Sequence, residues 1–535
     1  MSIAAVHRLV IHVKMVYSSF INLFFPHVIL IVFLQAMAEK EVKEAFIRNL
    51  NGTSLAEVTL GLSLAPVVLI NRSLILILYY QAKRTLPLPF PIISHLFLDF
   101  SVLILPLTLS CTILSSNILH VFTSLAFVSA CGVCYICFTS TQSHAQPLQK
   151  SVRIFLQSHT QFNQVPFVTL FRVFVNVKTA ISILAVDFAI FPRRYAKTET
   201  YGTGAMDFGV GAFVFANALV CPEARRKSIS GSKMSHVTKQ ILSVWPLLAL
   251  GFARFVSVKM TNYQEHVTEY GVHWNFFFTL ATVRVLASVL LTFLPARQMW
   301  ILGLVIGMFY QFILEATELK VFIMHNNDRE KDFLHANKEG IFSLAGYVAI
   351  YLIGVQIGLY VMQPRSRVSE WLRMLLNLFL GSLVLFGCLH ICQNLVEPVS
   401  RRSANFPFVL WTVAQSLYLL SCLGLADMVL LFSKRTSGCH AIPSSLNLYK
   451  KGADSDELSG KERGETERLC FIQAVSRNQL LFFLLANLMT GLTNSLVDTL
   501  SCSSSFSVCV LLLYMFINCL VMYVLHLCGI TVKFW

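Results

Sequence analysis

Apolar runs of about 20 residues recur along nearly the whole chain, and no other feature limits its fold so severely. A run of that length with few charges matches a helix crossing ~30 Å of hydrocarbon. Lipid offers the backbone no hydrogen-bond partners, so only helices and closed barrels can span it. The runs here are continuous and do not alternate, which selects helices. Spans are expected at approximately 58–80, 92–114, 118–139, 167–187, 206–222, 239–257, 274–294, 299–315, 341–362, 372–392, 407–432, 479–501 and 506–528. The fold class is therefore an all-α polytopic membrane protein, a bundle of about 13 transmembrane helices.

Charge agrees with this. Of 535 residues, 56% are hydrophobic and 13% charged, against roughly 25% charged in soluble domains. The net charge of +15 would suit a nucleic-acid partner, but the Lys and Arg residues sit mainly in the connections between apolar runs, so none is expected. Cys131, Cys134 and Cys137 have metal-like spacing, yet they lie in an apolar run without His or carboxylate neighbours, and no metal site is expected.

One multi-pass domain is read over residues 37–535, with a polar cytosolic loop at 433–478 that is rich in Ser, Gly, Lys and Glu. The segment 140–166 mixes polar residues with Phe155, Leu156, Phe162 and Val165, as a helix lying on the membrane surface would. Residues 1–36 form an extension in which the apolar stretch from Phe20 to Ala36 follows His7, Arg8 and Lys14, as in a signal segment. Met37 is a second candidate start, and the functional protein is expected to begin there.

Lys and Arg in alternate connections divide about two to one, and the richer set, which includes the 433–478 loop, marks the cytosolic side. The region before residue 58 is then luminal and the C-terminus cytosolic. Asn51-Gly52-Thr53 in that luminal stretch is a glycosylation acceptor, with Asn51 the glycan site.

Charges inside spans are costly and point to function or to pairing. They are Asp99, Arg172, Lys178, Arg254, Arg284, Asp427 and Asp498. Arg172 and Lys178 lie in the run that leads into the richest loop, 185–204. In that loop Asp187 closes an apolar run, where burial favours a proton-accepting carboxylate. Pro192 stops the helix, and Arg193, Arg194 and Lys197 follow on the luminal side, against the positive-inside bias. Cations so placed call for an anionic partner, a lipid phosphate or a developing oxyanion. Two more loops on that side are polar: Glu269 to Phe276, with His273 and Asn275, and Ala336 to Gly340, with Asn337 and Lys338. Arg172, Lys178, Arg193, Arg194, His273, Asn275, Asn337 and Lys338 are candidate substrate contacts.

The stretch from Asp187 through Phe191-Pro192-Arg193-Arg194, Lys197-Thr198-Glu199-Thr200 and Gly202 to Met206-Asp207-Phe208-Gly209-Val210-Gly211 resembles the signature of the inositol acyltransferase family of glycosylphosphatidylinositol (GPI) anchor synthesis. The segments Glu269–Phe276, Asn337–Gly340, Asn478–Leu481 and Asn487–Leu492 are similar to that family too, and the resemblance spans about Met37 to Trp535. It implies an enzyme of the endoplasmic reticulum membrane that moves a fatty acyl group, typically palmitoyl, from acyl-CoA to an inositol hydroxyl of glucosaminyl-phosphatidylinositol. Acyl-CoA would be a co-substrate, with no further cofactor, and the remaining partners would be membrane lipids. The family's essential acid and lysine fall on Asp187 and Lys197, the first to take the hydroxyl proton, the second to stabilise the oxyanion or hold Asp187. Arg172, Lys178 and Arg254 are expected to line a passage for cytosolic acyl-CoA and meet its phosphates. The alternatives are a lipid or solute transporter, which should show an internal repeat, an acyltransferase built on an intramembrane His such as His95 or His120, and a non-catalytic subunit.

Overall fold

In the computed structural model the described residues are 46, 50–83, 91–144, 147–161, 165–225, 233–261, 267–325, 328–439, 447–448 and 469–532. The chain divides into two units. One is residues 50–257 with 266–535, and the other is Met1–Asn49 with Val258–Glu265. Residues 1–36 and most of the 433–478 insert lie outside the described residues.

Twelve helices among the described residues are long and apolar enough to cross a membrane. In chain order the main helices are α1 (Leu55–Lys83), α2 (Pro91–Asp99, a π-turn over Phe100–Ile104, then Leu105–Ser110), α3 (Ile118–His144), the short α4 (Leu148–Gln157) and α5 (Pro166–Ala185). Next come α6 (Ala205–Leu219), α7 (Lys233–Ser243), α8 (Trp245–Thr261), α9 (Phe276–Phe293) and α10 (Met299–Ala316). The chain continues as α11 (Leu344–Val361), α12 (Val368–Leu395), α13 (Phe406–Ser437), α14 (Gln479–Leu496) and α15 (Ser504–Leu527). Helices α7 and α8 together make one span, Val237–Met260.

The thirteenth expected span, 206–222, is α6. It has only 15 residues, or about 22 Å at 1.5 Å per residue, too short to cross ~30 Å alone. It runs beside α11: Gly354 packs on Ala218 and Phe215, and Gly358 on Leu219 and Ala224. Small residues let the backbones approach this closely, the usual device where lipid supplies no hydrophobic drive between helices. The same applies where Gly346 of α11 meets Ala404 and Gly211 of α6 meets Thr412 of α13.

Burial sorts the helices into centre and rim. In α13 72% of the apolar window is buried, in α5 and α11 67%, but in α3 only 11% and in α14 17%. Central helices are thus apolar all round because protein surrounds them, and rim helices because lipid does. Within the segment 140–166, α4 carries Leu148, Val152 and Ile154 exposed and Phe155 buried, while Phe162 lies outside the described residues. Residues Thr160–Gln161, just beyond α4, pair antiparallel with Asn447–Leu448.

Local sequence sets the helix ends. Pro166 occupies the first turn of α5, where its missing N–H costs nothing. Asn275 and Asn405 cap α9 and α13 by accepting backbone N–H bonds. Gly438 ends α13 in the left-handed conformation, φ 69°.

Inside the bundle the Arg72 Nε of α1 lies 2.7 Å from Asp99 Oδ1 of α2, with both side chains at most 2% exposed. The backbone N–H of Phe471 donates to the other oxygen of Asp99 at 2.9 Å. The intramembrane charge at Asp99 is therefore a paired, structural one, and it ties the chain emerging from the polar insert to the first two helices.

Candidate active site

Helix α5 ends in a series of tight turns. Asp187 N–H donates to Leu184 O at 3.1 Å and Phe188 N–H to Ala185 O at 3.0 Å. The Asp187 carboxyl is buried, 7% exposed, and its Oδ2 accepts from Asn494 Nδ2 of α14 at 2.7 Å. Arg193 folds back over this turn, donating from Nη2 to Val186 O at 2.8 Å and Phe188 O at 3.3 Å. Burial pushes the Arg193 guanidinium down to about 10, against the upward pull of the Asp187 carboxylate. Arg194 turns the other way, 2.9 Å from Glu57 Oε1 of α1, and Tyr195 Oη donates to the same oxygen at 2.6 Å. The described bonds of Arg193 thus brace the loop from within, and those of Arg194 tie it to α1.

Lys197 Nζ lies 2.6 and 2.8 Å from the two carboxylate oxygens of Glu269. Both its described bonds go to that acid, so its ammonium is held by Glu269, and in these contacts it does not hold Asp187. Lys197 keeps 29% exposure and Glu269 9%. The next residue, Thr198, gives its N–H and hydroxyl to Asp207, which also accepts from Gly204 N–H at 3.0 Å. Asp207 is fully buried and ion-paired to Arg401 at 2.8 Å. Burial alone would lower Arg401, but Asp207, with Glu269 beside it, holds it above its usual range. A chain of alternating charge, Lys197, Glu269, Arg401 and Asp207, therefore sets the second half of the loop.

The strap before α1 closes over the loop. Glu199 N–H donates to Leu50 O at 3.1 Å, and Thr53 N–H donates to Thr203 O at 2.7 Å. Gly202 has φ +123°, and a Cβ there would lie 2.1 Å from Asn51 O, so only glycine fits. Asn51 itself is exposed, while the Thr53 hydroxyl donates to Glu57.

The neighbouring loops form the same face. Asn337 Oδ1 accepts from the backbone N–H groups of His273 and Trp274 at 2.8 and 3.0 Å. The His273 ring packs between Phe255 and Phe333. Asn275 spends its oxygen on the α9 cap and its amide on Gly251 O at 2.9 Å. Lys338 is buried and donates to Phe322 O at 2.8 Å. Its neighbour Glu339, also buried, pairs with Arg329 at 2.6 Å and Arg402 at 3.0 Å. In these contacts Asn275, Asn337 and Lys338 knit loops together.

The three cations expected along one passage lie in three places. Lys178 Nζ donates to Gly61 O of α1 at 2.6 Å. Arg172, a turn and a half nearer the start of α5, senses Arg225 beyond the end of α6. Arg254 is an exposed residue of α8 close enough to Tyr270 to act on its phenol electrostatically. Of the other intramembrane charges, Arg284 lies near Tyr351, Asp427 is buried in α13, and Asp498 is exposed beyond α14.

Sequence reasoning did not single out Asn494, Arg401 or Glu269 as members of the site. Glu269 stood in a loop already marked as polar, so its carboxylate opposite a run of cations was the available signal. Asn494 and Arg401 gave none.

The GWT1 family model matches residues 39–525 of the chain. Glucosaminyl-phosphatidylinositol-acyltransferase PIGW of Bos taurus is 44% identical over 509 residues, which cover 93% of this chain and 100% of the bovine protein. The protein of that name in Homo sapiens is also 44% identical, with the same coverage. The phosphatidylinositol-glycan biosynthesis class W protein of Dictyostelium discoideum is 30% identical over 542 residues, covering 93% of this chain and 99% of that one.

Proposed function

Because the chain belongs to the GWT1 family, we propose that it transfers a fatty acyl group, palmitoyl, from acyl-CoA to an inositol hydroxyl of glucosaminyl-phosphatidylinositol during GPI-anchor synthesis in the endoplasmic reticulum membrane. The observation that carries this reading is the loop 186–204. It presents a buried carboxylate held by an amide and, ten residues on, a partly exposed ammonium held by a buried acid. Family membership leaves the transport alternative without support.

In this mechanism the Asp187 carboxylate takes the proton from the inositol hydroxyl as its oxygen attacks the thioester carbonyl carbon. The negative charge that develops on the carbonyl oxygen is stabilised by Lys197. Collapse of the tetrahedral intermediate breaks the C–S bond, and the CoA thiolate leaves with the proton held by Asp187. The products are the acyl-inositol ester and free CoA. Arg172, within electrostatic range of Arg225, is the cationic element that a CoA phosphate from the cytosolic side would meet.

The test is complementation of cells that lack inositol acylation. Wild-type chain restores acyl-inositol lipid, whereas Asp187→Ala and Lys197→Ala, made at equal levels, do not. Restoration by either variant would sink the assignment of that residue.

A further inference from the structure

We propose that Asn494 is a positioning residue for acyl transfer: its side-chain amide fixes the Asp187 carboxylate in the orientation that accepts the hydroxyl proton. This rests on the acyl-transfer reading above.

Asn494 Nδ2 donates to Asp187 Oδ2 at 2.7 Å, across 307 positions of sequence. Helix α14 is a rim helix, with Gly491, Leu492, Ser495 and Leu496 all exposed. An exposed apolar helix has no packing need for an amide turned towards the bundle. Asn487, two turns earlier, satisfies its own amide on Phe483 O of the same helix at 2.8 Å. Asn494 instead sends its amide to a carboxylate on another element.

The contact is rigidly placed. The Tyr514 hydroxyl of α15 lies 3.0 Å from Ala180 O of α5 and 3.1 Å from Ala486 O of α14. Thr490, one turn before Asn494, is 3.4 Å from the same hydroxyl. Helices α5, α14 and α15 are thereby tied together about two turns before the Asp187 turn. A donated N–H holds the plane of a carboxylate and favours its charged form, which is the form a general base needs. Among the described residues, Arg193 and Tyr514 are titratable groups within electrostatic range of Asp187. An amide adds orientation there without adding net charge.

The experiment uses the purified full-length chain, palmitoyl-CoA and glucosaminyl-phosphatidylinositol. Asn494→Leu keeps the branched shape and removes the donor, and Asn494→Asp sets a second carboxylate against the first. For Asn494→Leu the expected result is a kcat lower by about 10- to 100-fold, part of the ~10²–10⁴ that a positioned base supplies. Both KM values and the unfolding temperature should stay at wild-type levels. For Asn494→Asp the acid limb of the kcat/KM profile moves up by about one pH unit or more, because two carboxylates that share a site compete for a proton. A purely structural role would lower stability and leave that limb in place. Wild-type kcat and an unmoved limb overturn the proposal, as does an unmoved limb in Asn494→Asp if Asn494→Leu fails to fold. An inactive wild-type enzyme would instead sink the acyl-transfer reading and this inference with it.

Discussion

Replacing Glu269 with Gln removes one charge from the acid that holds Lys197 and leaves an acceptor oxygen in place. In the wild type the ammonium touches both carboxylate oxygens, at 2.6 and 2.8 Å. Two unit charges 4 Å apart interact by about 4 kcal/mol at an effective dielectric constant of 20. Solvent reduces that figure, because Lys197 keeps 29% exposure while Glu269 keeps 9%. Exposed pairs contribute at most about 1 kcal/mol, and breaking a buried pair costs about 3–5. This pair lies between the two, near 2 kcal/mol, and about 30-fold in kcat follows if the loss is felt in the transition state. The assay is steady-state acyl transfer by the purified variant, with the unfolding temperature recorded in parallel. A variant that folds normally and turns over at the wild-type rate would refute the claim that Glu269 places the Lys197 ammonium.

Four further outcomes follow from the structure. Asp99→Asn leaves Arg72 charged and buried without its counter-ion, which costs about 3–5 kcal/mol of stability; a large fall in thermal unfolding temperature in detergent checks it. Gly202→Ala forces a side chain into φ +123° and against Asn51 O, so a loss of stability of about 1–3 kcal/mol or more is expected, with reduced folded yield as the readout. Arg172→Gln should raise the KM for palmitoyl-CoA by roughly 5- to 10-fold, the worth of one charge-assisted contact, with kcat kept; an unchanged KM ends that role. A glycan on Asn51 predicts a mobility shift on glycosidase treatment that disappears in Asn51→Gln.

The bundle was readable from apolar run length because lipid makes backbone satisfaction a strictly local matter. Helix α6 shows the limit: its apolar stretch reads as a full span, yet only 15 residues are helical. The helix opens at Ala205, where the Asp207 carboxylate holds the Gly204 N–H, but it ends at Leu219, short of the expected end at 222. The loop 185–204 was also legible, because Asp187 closes an apolar run and three cations follow on the side that the charge count marks as luminal. Its wiring was not. Glu269 lies 72 positions from Lys197, and Arg401 lies 194 from Asp207. No local pattern encodes which acid meets which base over such separations. Asp99 shows the same ambiguity from the other side, since a buried charge in a span reads alike whether it serves chemistry or, as here, an ion pair with Arg72.

The most direct test is acyl transfer by the purified chain in lipid nanodiscs, given labelled palmitoyl-CoA and glucosaminyl-phosphatidylinositol. The account predicts a labelled, ester-linked acyl-inositol product from the wild type, and a rate at least ~10² lower from Asp187→Ala. Transfer at an undiminished rate by a folded Asp187→Ala protein would contradict it.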